Sequence, residues 1–168
     1  MNAAVPAASG ISSAPMAAIT GLSELKAKVG EELGVSDWYE LTQDEINAFA
    51  DATGDHQFIH VDPERAAQTP LGTTIAHGLL TLSLGPKFSY EVFSLDGFDF
   101  GLNYGYNRVR FPAPLPVNSR LRMRAVLSSV EEIPGGAQIT ITQTFERDGS
   151  EKPVCVAEQL VRVYGGSG

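Results

Sequence analysis

The chain has 168 residues, 43% of them hydrophobic and 19% charged, which is enough for one globular domain with its own core. Its formal net charge of −8 at pH 7 argues against a nucleic-acid backbone or an anionic membrane surface as the main partner. A phosphorylated cofactor stays compatible with this charge wherever basic residues cluster locally.

The N-terminal 20 residues are rich in Ala, Ser and Pro and contain no Lys or Arg. They lack the charged-then-apolar order of a secretory signal, so residues 1–20 are predicted to be a disordered tail and residues 21–168 the folded domain. The apolar run from Leu79 is broken by Gly85-Pro86 and is too short to span a bilayer. We therefore expect a soluble, cytoplasmic protein.

The first half of the folded part shows helix signals. Gly21 to Gly30 suits a short amphipathic helix, and Val35 to Leu41 suits a first strand. Thr42-Gln43-Asp44-Glu45 is a capping box, and Gly54 suits the position just past the end of the helix that follows. Asp62 is a good N-cap with proline at the next position, which predicts a short helix over 63–68.

A strongly apolar stretch begins at His77-Gly78 and predicts a long buried helix. Its apolar residues are Leu79, Leu80, Leu82, Leu84, Phe88, Val92 and Phe93. Pro86 is expected to kink this helix or to end its first part, because proline removes a backbone donor and clashes with the preceding turn. Asp96-Gly97 is expected to stop it.

From Phe98 the hydrophobic period changes to two, which predicts strands. The parity changes after Asn107, so a bulge is predicted near Gly105, and Asn103 and Asn107 are interpreted as turn or ladder residues beside it. Three further strands are predicted, separated by turns at Pro134-Gly135-Gly136 and Asp148-Gly149; the last runs over 154–163. The first of these alternates Leu121, Met123, Ala125 and Leu127 with Arg120, Arg122 and Arg124, which predicts one solvated face.

These elements predict an α+β fold of one domain. An antiparallel sheet needs a cover for its apolar face, and a helix that is apolar nearly all round needs to be enclosed. An antiparallel sheet wrapped around a long central helix meets both needs. The single cysteine, Cys155, lies in an apolar alternating stretch and is interpreted as a small core residue.

The candidate site is the segment GDHQFIH between two predicted helices, which carries Asp55 and His60. An acid and an imidazole that both lie within about 3 Å of a water can hold it and exchange protons with it. The Gly78 N–H at the start of the apolar helix is a free donor at the positive end of the dipole, so it is a candidate oxyanion hole. His77 is interpreted as a structural residue that shapes this helix start.

A metal site is the alternative interpretation of the same segment. His56 and His60 are four residues apart and are flanked by Asp55 and Asp62. The intervening residues are not expected to be helical, because they lie between a C-cap glycine and an N-cap aspartate. No metal is therefore predicted.

The string ATGDHQFIHVDPERAA, followed by TTIAHGLL, resembles the signature of the MaoC-like dehydratases, or (R)-specific enoyl-CoA hydratases (hydratase-2). That motif is Gly-Asp-x-Asn-Pro-aliphatic-His with a small residue six places later. The residues that match it are Gly54, Asp55, Ile59, His60 and Ala66. Gln57-Phe58 replaces Asn-Pro, which removes a stiff turn and a small amide. The resemblance covers roughly residues 30–164.

The resemblance implies a hotdog fold, a homodimer and reversible hydration of trans-2-enoyl-CoA to an (R)-3-hydroxyacyl product in fatty acid metabolism. It implies that Asp55 and His60 activate the water and that the Gly78 N–H stabilises the enolate; no metal or redox cofactor is needed. The candidates for the CoA phosphates are Arg65, Lys87, Arg108, Arg110 and the arginine face of the first long strand. The alternatives are a hotdog thioesterase, a dehydratase acting on acyl-carrier protein, and a non-catalytic acyl-thioester binding subunit.

Overall fold

The structure, a computed structural model, describes residues 17–165. The helices are α1 (Gly21–Ala27), α2 (Gln43–Thr53), α3 (Phe58–Val61), α4 (Pro63–Ala67), α5 (Gly78–Ser83) and α6 (Gly85–Val92). The strands are β1 (Ala17–Thr20), β2 (Glu32–Val35), β3 (Tyr39–Glu40), β4 (Phe93–Asp96), β5 (Phe100–Arg110), β6 (Arg120–Ile133), β7 (Gly136–Arg147) and β8 (Cys155–Tyr164).

A six-stranded antiparallel sheet forms one layer, with the order β2-β6-β7-β8-β5 and with β3 also paired to β6. The predicted turns at 134–136 and 148–149 are confirmed, and the last strand lies within one residue of its predicted bounds. The predicted strand over 35–41 is wrong as one element. It is divided between β2 and β3, and the pairing of β2 with β6 shifts register between Glu32 and Gly34.

The N-terminal boundary differs from the prediction at residues 17–20. These four residues form β1, which pairs in parallel with β4, and Ile19 is fully buried. The sheet partner and the buried isoleucine give this segment a fixed place that composition alone does not reveal. The rest of the predicted tail, residues 1–16, lies outside the described residues.

The predicted single long helix is two consecutive short helices, α5 and α6, that meet at Leu84. The break lies where Pro86 was expected to end the first part, because a proline in the first turn starts a helix well and continues one badly. The prediction that the helix reaches Asp96 is wrong. Residues 93–96 form β4, where parallel strand pairing with β1 replaces the helical ladder.

The core lies between α6 and the inner face of the sheet. Phe88 of α6 packs edge-to-face on Phe145 of β7, and both are fully buried. The alternation predicted for the first long strand is confirmed in β6, where all four apolar residues are fully buried. Its outward arginines are held by carboxylates: Arg122 and Arg124 both bind Glu146, at 2.7 and 3.1 Å.

Two smaller predictions are confirmed. The sheet register shifts between Asn103 and Gly105, which is the predicted bulge. Cys155 is a buried core residue, and burial raises the pKa of its thiol to about 12. Among the helices of residues 17–165, none combines the length and hydropathy that crossing a membrane requires.

Candidate active site

Asp55 follows directly on the end of α2. The predicted capping box is present: the Thr42 hydroxyl accepts a hydrogen bond from the Glu45 N–H, and the Thr42 N–H donates to the Glu45 carboxylate at 2.9 Å. Gly54 ends the helix in the left-handed conformation, with φ 78° and its N–H bonded to Ala50 O. The two helix ends therefore fix where Asp55 begins, and its carboxylate lies exposed at the surface.

His60 lies on α3, a single helical turn. This corrects the expectation that residues between Gly54 and Asp62 are not helical, because Asp62 ends α3 and caps α4 at the same time. The turn is tied to the start of α2, where Gln43 Nε2 donates to His60 O at 2.8 Å. Thr74 Oγ1 in turn donates to Gln43 Oε1 at 2.6 Å. These contacts join segments far apart along the chain, and no local sequence pattern predicts them.

The imidazole of His60 has a defined tautomer. Its Nδ1 lies 2.7 Å from the Ile75 carbonyl oxygen, and a carbonyl oxygen only accepts, so Nδ1 carries a hydrogen. The Nε2 of the neutral ring is then an acceptor. His60 is 7% exposed, so this acceptor belongs to a nearly enclosed group.

His77 connects the two halves of the motif. Its ring stacks on that of His60, with centroids 3.8 Å apart, and its Nε2 donates to the Asp55 carbonyl oxygen at 2.9 Å. Its Nδ1 is buried and has no hydrogen-bond partner in the structure. His77 thus does more than shape the start of α5, because it holds the backbone of Asp55 and the ring of His60 together.

The predicted pair is brought together with this third residue. One carboxylate oxygen of Asp55 and one ring nitrogen each of His60 and His77 all lie within 4.8 Å of one another. The metal set considered from the sequence does not form, because His56 is exposed and bonds Asp51 at 2.8 Å, which raises its pKa. The Asp62 carboxylate accepts from Arg65 N at 3.0 Å.

Gly78 is the first residue of α5, so its N–H has no acceptor within the helix. Its side is covered by Phe111: a Cβ at position 78 would lie 2.9 Å from the phenyl ring. Phe111 follows the end of β5. A glycine is therefore needed here for close packing, and the sequence analysis did not predict this contact.

A cavity of about 530 Å³ lies beside α6, between that helix and strands β4, β5 and β8. Asp55, His60 and Gly78 are not among its lining residues. Asn103 and Gln159 are, together with apolar side chains such as Phe93 and Val161. Asn103 thus lies in the β5–β8 ladder, which confirms that part of its interpretation, and it also lines this cavity.

The basic residues considered for phosphates fall into two groups. Arg65 lies over the Phe58 ring at 4.3 Å and Lys87 binds Glu91 at 2.8 Å. Arg108 and Arg110 line a second cavity of about 200 Å³ at the end of β5, near Phe111. Arg110 directly precedes Phe111, whose ring lies against Gly78.

Comparison with known proteins shows the family of this chain. Residues 24–147 match the family model described as MaoC like domain. The chain is 52% identical over 148 residues to the 3-hydroxyacyl-thioester dehydratase Z of Mycobacterium tuberculosis, covering 88% of this chain and 98% of the relative. It is 44% identical to nodulation protein N of Rhizobium leguminosarum bv. viciae, covering 83% and 88% of the two chains.

Solved structures match the fold at lower identity. An (R)-hydratase from A. caviae involved in PHA biosynthesis has a TM-score of 0.66 at 21% identity, covering 79% of this chain and 94% of that one. An unliganded R-hydratase from Pseudomonas aeruginosa also has a TM-score of 0.66, covering 82% of each chain. The hotdog arrangement expected from the resemblance is confirmed, with an antiparallel sheet against helices.

Proposed function

We propose that this chain, which belongs to the MaoC-like dehydratase family and is a hydro-lyase, adds water reversibly to trans-2-enoyl thioesters to give (R)-3-hydroxyacyl thioesters. The observation that carries the proposal is the meeting of the Asp55 carboxylate and the His60 ring, with His60 Nδ1 protonated and Nε2 left as an acceptor. The printed name of the M. tuberculosis relative supports a hydroxyacyl-thioester substrate. The solved (R)-hydratases support the handedness.

In the proposed reaction Asp55 and His60 hold one water between them. Its oxygen bonds to the β-carbon while one of its protons passes to the pair, and the electron pair of the double bond moves towards the thioester oxygen. The Gly78 N–H stabilises the resulting enolate charge. The pair then returns one proton to the α-carbon, so the sum is one water added and the enzyme regenerated. Dehydration follows the same steps in reverse.

Substitutions at the pair test the proposal. Asp55→Asn and His60→Gln each remove proton transfer while keeping a hydrogen-bonding side chain of similar shape. Each should lower kcat by on the order of 10²-fold or more with folding unchanged. The matched control is His56→Gln, which changes an exposed histidine one residue after Asp55 and should leave kcat near wild type.

The assay is loss of the enoyl-thioester absorbance on mixing with crotonyl-CoA and longer enoyl-CoAs, with a thiol reagent in parallel. Loss of absorbance without free thiol is expected. Release of thiol would instead make the protein a hotdog thioesterase. Tight binding with no turnover on CoA or acyl-carrier-protein thioesters would make it a binding subunit, and near-full activity of either variant would remove Asp55 or His60 from the site.

A further inference from the structure

Three side-chain amides form a relay across the inner face of the sheet, outside the site already described. Gln143 Nε2 on β7 donates to Gln159 Oε1 on β8 at 2.9 Å. Gln159 Nε2 donates to Asn103 Oδ1 on β5 at 3.4 Å. All donors run in one direction, so the relay ends on the amide nitrogen of Asn103, which lines the cavity beside α6.

The bulge in β5 creates this end of the relay. Asn103 pairs with Val161 and Tyr106 pairs with Gln159, so the extra residue puts Asn103 and Tyr106 on the same inner face. Burial raises the pKa of Tyr106, while hydrogen bonding from Asn103 acts to lower it. Because an amide nitrogen carries two hydrogens, one of them is left for a ligand in the cavity.

Burying these side-chain amides lowers the stability of the fold unless their polar groups form hydrogen bonds. Gln143 is fully buried and Gln159 is 5% exposed, among the apolar residues of β7 and β8. A buried amide pays a desolvation penalty that a hydrocarbon side chain at the same place would not. Gly85 of α6 packs against Gln143, where a Cβ would lie 3.2 Å from Oε1, so the helix itself is fitted around the relay.

We propose that the relay binds an uncharged oxygen on the acyl chain through a hydrogen bond. The preferred substrate is then an enoyl thioester whose chain carries a keto or hydroxyl group remote from the double bond. The inference rests on the proposed function and narrows its substrate class. The Asn103 amide donates to that oxygen, and Gln159 and Gln143 hold the amide in place.

The path from the site to the cavity supports a chain as the occupant. Gly78 begins α5 and Pro86, which lines the cavity, lies in the first turn of α6. Eight helical residues span about 12 Å, so in the proposed binding mode an acyl group whose thioester lies at Gly78 follows the two helices to the cavity. The polar side chains that line the cavity are Ser89, Tyr90, Ser94, Asp96, Asn103 and Gln159, and its other lining residues are apolar.

The charge of the cavity lining determines which oxygen-containing group on the acyl chain can bind there. Among the residues that line the cavity the one charged side chain is Asp96, at the end of β4. A carboxylate on the chain would meet a negative neighbour and no cation, whereas a neutral carbonyl or hydroxyl needs only the amide donor. The site therefore selects against dicarboxylic acyl groups.

The test compares kcat/KM for three enoyl-CoAs of one chain length that reaches the cavity: an unsubstituted alkyl chain, one with a remote keto group, and one ending in a carboxylate. Wild type should prefer the keto chain over the alkyl chain by roughly three- to tenfold. The carboxylate chain should be the poorest of the three.

Two variants assign the preference to the relay. Asn103→Leu removes the donor and should abolish or reverse the keto preference, measured as the ratio of kcat/KM for the keto and alkyl chains. Asn103→Asp keeps the side-chain shape and the acceptor for Gln159 but replaces the donor by an anionic oxygen, so the keto chain should lose its advantage over the alkyl chain. The matched control is Asn107→Leu, the same change four residues along β5 and outside the cavity, which should leave the ratio at its wild-type value.

The outcomes separate this inference from the proposed function. Hydration of all chains with no keto preference, or the same preference in wild type and Asn103→Leu, overturns the relay as a recognition site and leaves the hydratase assignment standing. A carboxylate chain better than both others also overturns it. Absence of hydration with every thioester overturns the proposed function itself, and the inference with it.

Discussion

Gly78 combines two properties, a backbone N–H without an acceptor in the helix and the absence of a Cβ. The N–H, the first free donor of α5, is the proposed oxyanion donor, and the missing side chain lets the Phe111 ring lie where a Cβ would be. Any substitution at Gly78 adds a Cβ against Phe111, but only proline also removes the N–H. The position therefore allows the hydrogen bond and the packing to be separated experimentally.

Gly78→Ala and Gly78→Pro form a matched pair for that purpose. Both add a Cβ against Phe111, but only proline removes the N–H. Proline is favoured at the first helical position, and the ψ of 136° at His77 is compatible with a following proline. If the N–H is the oxyanion donor, kcat of Gly78→Pro should lie about 10²-fold below that of Gly78→Ala. Equal kcat values for the two variants would exclude this donor.

His77 is expected to act as a positioning residue through its Nε2–H. The side-chain nitrogen of Gln reaches roughly the place of imidazole Nε2, whereas that of Asn reaches the place of Nδ1. His77→Gln should therefore keep the bond to the Asp55 carbonyl and retain about tenfold more kcat than His77→Asn, with similar KM values. A packing role alone would reduce both variants alike, because both lose the ring that stacks on His60.

At the scale of the element, the end of α2 sets the position of the loop that carries Asp55. Gly54 has φ 78° and no atom within 4 Å of the place of a Cβ, so a side chain there meets backbone strain but no clash. Gly54→Ala should lower the free energy of unfolding by about 1 kcal/mol, and Gly54→Asn by less, because Asn tolerates the left-handed region. Urea unfolding measures both, and equal losses would contradict the conformational explanation.

The elements whose limits depend on neighbouring residues are those that the sequence predicts well. The capping box at Thr42, the glycine at 54 and the Asp62-Pro63 pair satisfy local hydrogen bonds and dihedral angles, so their signals need no knowledge of the fold. The change from helix to β4 depends on pairing with residues 17–20, far away in sequence. The hydrophobic period of a segment does not reveal a strand partner that lies far away in sequence.

The site divides in the same way. The spacing of Asp55 and His60 within one short segment, together with the family resemblance around it, predicted the pair, and the two side chains lie close together in the structure. The Ile75 carbonyl that fixes the His60 tautomer and the Phe111 ring over Gly78 come from other segments. Gln143, Gln159 and Asn103 lie on three strands, and only the register between those strands places their amides in one row.

At the scale of the whole molecule, apolar surface is concentrated along one edge. β5 is an edge strand of eleven residues, and of the eight exposed large hydrophobic side chains within residues 17–165, four lie on it or directly after it. They are Phe100, Leu102, Tyr104 and Phe111. A long exposed edge with such side chains is a template for pairing with another strand. The charges on this strand, Arg108 and Arg110, are at its far end.

We therefore propose that the protein is a homodimer and that β5 takes part in the interface. Leu102 is 51% exposed, so Leu102→Lys places a charge on the edge without removing a buried core residue. It should shift the protein from dimer towards monomer in sedimentation velocity. The control is Val29→Lys, an equally apolar-to-basic change at a residue 44% exposed that lies in the turn after α1, away from β5. A wild-type monomer would contradict the dimer, and a dimer that Leu102→Lys leaves intact would move the interface to another surface.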